Sequence, residues 1–87
     1  MPLYVYIIES EIDGDYYKGM TEDYLKRLEQ HNNGLSKFTS AKRPWKLRYV
    51  EMLSTKKEAL IREKQLKKQN RSYLLWLFSQ KINMLNK

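Results

Sequence analysis

Near the N-terminus the chain reads Leu3-Tyr4-Val5-Tyr6-Ile7-Ile8, apolar or aromatic without a break. β-Branched and aromatic side chains favour an extended backbone, and apolar groups on both sides of the pleat demand cover on both faces or nearly so. Alternation puts Tyr4, Tyr6 and Ile8 on one face and Leu3, Val5 and Ile7 on the other. An acidic turn follows, with Asp13-Gly14 as a hairpin signal, and Tyr16-Tyr17-Lys18 returns as a short second strand before Gly19. Tyr6 and Tyr17 can then face the same side of the ribbon, although the spacing leaves the register open.

The rest of the chain supplies helices and one more strand. Thr21 is placed to cap a helix running to about Asn32, with Tyr24, Leu25 and Leu28 as its apolar stripe and Asn33-Gly34 as its stop. A polar stretch from Leu35 to Pro44 leads to a third strand, Trp45 to Leu53. Thr55 and Glu58 form a capping box that opens a helix to about Lys68. A last helix is expected from about Ser72 to Leu85, with Leu74, Leu75, Phe78, Ile82 and Leu85 as its core stripe and Trp76 and Leu77 beside it. The order β-β-α-β-α-α predicts an α+β fold in which a three-stranded antiparallel sheet is flanked by helices. At 87 residues this is expected to be one domain, residues 1–87.

Composition narrows the chemistry. The chain has no cysteine, which removes disulfides, thiolate metal sites and a cysteine nucleophile, and a single histidine removes a His-based zinc site. No run approaches ~18 apolar residues and no signal-peptide pattern opens the chain, so a soluble, cytoplasmic protein is expected. The net charge of +7 is unevenly placed: residues 1–30 carry seven acids and three bases, and residues 31–87 three acids and fourteen bases. Such a field suits a polyanion, and nucleic acid is the commonest one; a merely solubilising surface is the competing reading.

Three features break the local pattern. On the helix after Thr55, Glu63 falls at the centre of the apolar face formed by Ala59, Leu60 and Leu66, where a carboxylate must be neutralised, pair with a Lys or Arg, or bind a cation, the readings being a structural pair or a metal or catalytic carboxylate. On the first helix, Tyr24, Arg27 and His31 share one face, a row that can grip a phosphate or simply face solvent. Four of the seven tyrosines, Tyr4, Tyr6, Tyr16 and Tyr17, lie in the hairpin. A phenol with a pKa of about 10 becomes a base near neutral pH only where positive charge lowers that value.

Taken in order, Tyr4-Val5-Tyr6, Tyr17-Lys18-Gly19, Gly19-Met20-Thr21, Arg27, His31, the Phe38-Thr39 to Pro44 loop and the Glu63 helix resemble the GIY-YIG nuclease domain, in its small single-domain bacterial branch. The resemblance runs from about residue 2 to residue 77. It implies phosphodiester hydrolysis with one divalent ion, Mg²⁺ or Mn²⁺, on one face of the sheet. Tyr6 and Tyr17 would be the paired tyrosines, one of them the general base. Arg27 would stabilise charge on the phosphate, His31 would assist in proton transfer or phosphate contact, and Glu63 would hold the metal. Two positions depart from the family pattern: Tyr4 stands for its first glycine, and Lys18 for a commoner aliphatic residue. No clear match to the asparagine that some members carry near the C-terminus is found.

Two functional readings follow. In one, the protein is a structure-selective or weakly specific DNA endonuclease, with Lys18, Lys37, Lys42, Arg43 and Lys46 contacting nucleic acid. In the other it is a nucleic-acid-binding or protein-interaction module with little or no cleavage, Trp76 and Leu77 of the last helix offering a partner or homodimer contact.

Overall fold

The computed structural model describes residues 2–86. Its elements are β1 (Leu3–Ser10), β2 (Tyr16–Thr21), α1 (Tyr24–Asn32), β3 (Trp45–Leu53), α2 (Lys56–Lys67) and α3 (Arg71–Phe78), with single 3-10 turns at Ser40–Lys42 and Met84–Asn86. This is the α+β order expected from the sequence. The sheet order is β2-β1-β3, antiparallel throughout. The doubly apolar strand β1 is therefore the central one, and Val5, Tyr6, Ile7 and Ile8 are buried. Among the described residues no helix is long and apolar enough to cross a membrane.

The two faces of β1 have different covers. Val5, Ile7 and Tyr49 pack under α2 and α3 through Ala59, Leu66, Leu74, Leu77 and Phe78. Tyr6, Ile8, Trp45 and Val50 form the other cluster, roofed by Tyr4, Tyr17, Tyr24, Leu28, Leu47 and Met84. The face assignment read from alternation in β1 is the one found. Along β3 alternation breaks: Ile7 pairs with Tyr49 but Ile8 with Leu47, so Arg48 is an extra, bulged residue. The bulge lets Leu47 and Tyr49, two apart, serve opposite faces.

On the α2 side a buried ion pair ties helix to sheet. Glu51 accepts from Arg62 Nε at 2.8 Å and from the Tyr49 hydroxyl. Burial pushes the Tyr49 phenol up, and the Glu51 carboxylate beside it adds to the shift. With both partners largely out of water, removing one leaves a stranded charge, a loss worth several kcal/mol.

Two local expectations need correction. The cap of α1 is Asp23, whose carboxylate accepts from Lys26 N at 3.1 Å; Thr21 stays paired with Tyr4 at the end of β2 and accepts from Asp23 N instead. The capping box of α2 forms as expected: Thr55 accepts from Glu58 N, and the Glu58 carboxylate reaches back to accept from the Thr55 hydroxyl. The last helix stops at Phe78, far short of Leu85. Asn83 explains the stop. Its amide donates to Phe78 O and Arg48 O at 3.0 and 2.9 Å, and its carbonyl accepts from Val50 N at 3.2 Å, so the C-terminal segment turns back to satisfy the edge of β3. Leu77 is consequently core, whereas Leu75, Trp76, Ile82 and Leu85 are exposed.

Candidate active site

Tyr6 and Gly19 stand opposite each other on β1 and β2. A Cβ at position 19 would come within 2.5 Å of Tyr6 Cζ. The phenol therefore lies across the edge strand at the one residue whose missing side chain lets it pass. It emerges on the α1 side of the sheet, and its hydroxyl meets His31 Nε2 at 2.9 Å. The Tyr17 ring completes the floor, 6.4 Å from the Tyr6 ring and 5.1 Å, edge on, from His31.

His31 and Arg27 project from α1 one turn apart. His31 is fully buried, and its second nitrogen, Nδ1, lies 2.7 Å from the Thr39 hydroxyl. Arg27 donates to Gln30 Oε1 at 3.0 Å and faces the Tyr6 oxygen. The segment between α1 and β3 is pinned around this group. Asn32 holds Trp45 through both its backbone groups, and the Trp45 indole N–H donates to Thr39 O at 2.9 Å. Thr39 and Asn32 had no assigned role in the sequence. Thr39 sits in the Phe38-Thr39 stretch already singled out, but only the fold brings its hydroxyl to an imidazole.

Burial dominates the electrostatics. It pushes the Tyr6 phenol up to about 12; the Arg27 guanidinium at its oxygen pulls the other way, and the Tyr17 phenol and the Glu63 charge push it further up. Burial likewise pushes His31 down to about 4, with the Arg27 charge in the same direction. Near neutral pH the two are thus an uncharged pair sharing a hydrogen bond. A neutral imidazole has one N–H, so His31 either accepts from Tyr6 and donates to Thr39 or does the reverse.

Glu63 comes from α2, between the buried Ala59 and Leu66. Its side chain is 17% exposed and pairs with the more exposed Lys67 at 3.2 Å. Both readings left open for this residue touch the outcome: it has a lysine partner, and its charge is felt at the Tyr6 hydroxyl. Among the described residues no three His, Cys, Asp or Glu side chains gather at one point. A donor set of one carboxylate fits a hard ion that keeps most of its waters and takes further oxygens from a phosphate, as Mg²⁺ and Mn²⁺ do; it does not fit a tetrahedral zinc cage.

The basic residues divide. Lys37 and Arg43 are exposed in the segment that carries Thr39. Lys42, expected to contact nucleic acid, is held by Asp13 at 3.0 Å and by Asp15, across the hairpin turn. Lys18 is half-buried on the α2 side beside Lys67; burial, then the Lys67 charge, lowers its pKa. Lys46 adjoins Trp45 and pairs with Glu9, so alternation turns it to that same far side. The structure thus brings Tyr6, Tyr17, Arg27 and His31 together and places Glu63 within electrostatic reach; Lys42 is held at the hairpin turn and Lys46 faces the far side, while Lys18 stands beside Lys67, the partner of Glu63.

A tyrosine from the central strand that crosses a glycine of the edge strand to an arginine-bearing, histidine-bearing first helix defines a GIY-YIG-type domain. The family model described as the GIY-YIG catalytic domain matches residues 2–79, and the chain belongs to that family. It is similar to the small proteins called UPF0213. The relative from Staphylococcus saprophyticus is 44% identical over 78 residues, covering 88% of this chain and 94% of that one. The relative from Syntrophus aciditrophicus is 42% identical over 79 residues, covering 88% and 90%. The solution NMR structure of the UPF0213 protein from Bacillus halodurans matches with a TM-score of 0.61 at 32% identity, over 99% of this chain and 92% of that one.

Proposed function

We propose that the protein is a metal-dependent nuclease that hydrolyses phosphodiester bonds in DNA. The observation that carries this reading is the meeting of the Tyr6 hydroxyl with His31 and Arg27, under the influence of Glu63. In the resting site a phenol at about 12 is ionised to only about one part in 10⁵ at pH 7, so Tyr6 needs added positive charge to act as a base. Glu63 would hold Mg²⁺ or Mn²⁺, which supplies that charge and binds phosphate oxygen. Tyr6, rather than Tyr17, takes the proton of the attacking water, because it alone of the two is hydrogen-bonded to His31. Before that step Tyr6 must release its own proton to solvent; the phenolate then accepts a hydrogen bond from Nε2–H of neutral His31, whose Nδ1 accepts one from the Thr39 hydroxyl, so no charge is created on the buried imidazole before the phenolate takes the water's proton. Arg27 stabilises charge that develops on the phosphate.

The Lys67–Glu63 ion pair favours a second reading, a nucleic-acid-binding module with little cleavage, since a lysine already occupies the carboxylate. One experiment separates the two. Supercoiled plasmid and flapped oligonucleotides are incubated with the protein in Mg²⁺ or Mn²⁺, beside Glu63→Gln and Tyr6→Phe. Ion-dependent cleavage that both variants lose supports the nuclease. Cleavage that both retain defeats it, and salt-sensitive binding without cleavage supports the module.

A further inference from the structure

Phe38 is 86% exposed, more than any other large apolar side chain described, yet it stands beside Thr39, which is fully buried against His31. Leaving a phenyl ring in water forfeits the gain available from burying it. The backbone beneath the ring is fixed. Thr39 N and Ser40 N both donate to Ser36 O, at 3.2 and 3.0 Å, and the Trp45 indole holds Thr39 O from below. Leu35, 71% exposed, lies in the same segment. Positive charge flanks the ring: Lys37 precedes it, and Arg43 donates from Nε to Ser40 O at 2.8 Å while its guanidinium rests against Gly34, where a Cβ would come within 2.6 Å of Nη1. Among the described residues neither Lys37 nor Arg43 has an acidic partner.

We propose that Phe38 is a stacking post for an unpaired nucleobase, placed beside the site so that Lys37 and Arg43 take the phosphates of the same strand. The occupant follows from the chemistry. A flat apolar ring in a segment with unneutralised cations suits a polyanion with planar faces, and the next residue, Thr39, ties that segment to the site through its hydroxyl on His31. Within a duplex both faces of a base are already stacked, so only a single-stranded segment or a flap offers a free face. The substrate class is therefore nucleic acid with unpaired bases next to the phosphate being handled. This rests on the reading of the site as one that takes nucleic acid.

The test measures binding without divalent metal, in a Glu63→Gln background. The ligands are a flapped oligonucleotide carrying 2-aminopurine in its single-stranded arm and a fully paired duplex of the same sequence. Phe38→Ala should weaken flap binding by about ten-fold and abolish the stacking quench of 2-aminopurine, with less than about two-fold effect on the duplex. Phe38→Trp should retain both affinity and quench. The unfolding midpoint of Phe38→Ala should equal that of its parent, because the ring is in water. Equal losses on flap and duplex, no loss on either, or a loss confined to self-association or to binding of an acidic protein would overturn the proposal. Cleavage is scored separately in Mg²⁺ with the native Glu63. Protein that never cleaves but shows the flap-specific loss retires the nuclease and keeps the stacking post; protein that cleaves with Phe38→Ala indistinguishable on flaps does the reverse.

Discussion

Acid should loosen this fold over the range in which a free imidazole takes up its proton, and His31 sets the size of the effect. The side chain is fully buried between the Tyr6 and Thr39 hydroxyls, with the Tyr17 ring against it and the Arg27 charge close by, and nothing facing it is an acid that would welcome a proton. Its pKa falls from 6.5 in the unfolded chain to about 4 in the fold. Between those values the unfolded chain holds more protons, so stability declines as pH drops through this window and is unaffected by His31 above it. From about pH 7 to about pH 4.5 the linkage amounts to about 2–3 kcal/mol, a large part of the stability of a small domain. The assay is urea unfolding across this range for the wild type and for His31→Gln, which keeps an amide near Tyr6 but does not titrate. Other groups, and the self-repulsion of a chain with net charge +7, act on both proteins alike, so the difference between the two curves isolates the imidazole. The variant should be less stable at neutral pH and converge on the wild type in acid. Curves that stay parallel would refute the assignment of a neutral, buried His31.

Other substitutions probe separate links. Gly19→Ala should displace the Tyr6 ring and cost about 1–3 kcal/mol in urea unfolding, with loss of any cleavage activity; an unperturbed Tyr6–His31 contact by NMR would contradict the crossing geometry. Thr39→Val should leave His31 Nδ1 without a partner and flatten the pH profile of cleavage, whereas Thr39→Ser should restore it. Glu51→Ala should destabilise by about 3–5 kcal/mol, and replacing Glu51 and Arg62 together by Met should recover most of that; a double variant as unstable as the single one would rule out a stranded charge as the cause. Lys37→Ala should lower the salt slope of nucleic-acid binding by about one, while Lys42→Ala, removing a residue already neutralised by Asp13 and Asp15, should leave that slope unchanged.

Much of the fold was legible because it is written locally. The doubly apolar run of β1, the Asp13-Gly14 turn, the bounds of β3 and the Thr55 cap all depend on residues close in sequence, where propensity and hydrogen bonding act directly. Alternation only offered a shared face for Tyr6 and Tyr17; the register that pairs Ile8 with Tyr17 decides it. The last helix was not legible, because its end is set by Asn83 bonding to a strand some thirty residues earlier, and no periodicity reports that competitor. The bulge at Arg48 escaped for the same reason: it appears only when β3 is laid against β1.

At the site the division is similar. The sequence by itself determined which chemistry the protein has: with no cysteine and one histidine, only phenols, guanidinium, imidazole and a carboxylate on an apolar helix face are available. It also determined that Tyr6 leaves β1 on the face opposite to Val5 and Ile7. Tertiary structure decided what those groups are. Packing buries His31 and so keeps it neutral, folds Thr39 against it, lets Tyr6 pass over Gly19, and pairs Lys42 with two aspartates. Charge state and hydrogen-bond partner depend on desolvation and on contacts between distant residues, and these quantities come into being only when the sheet and its helices close on one another.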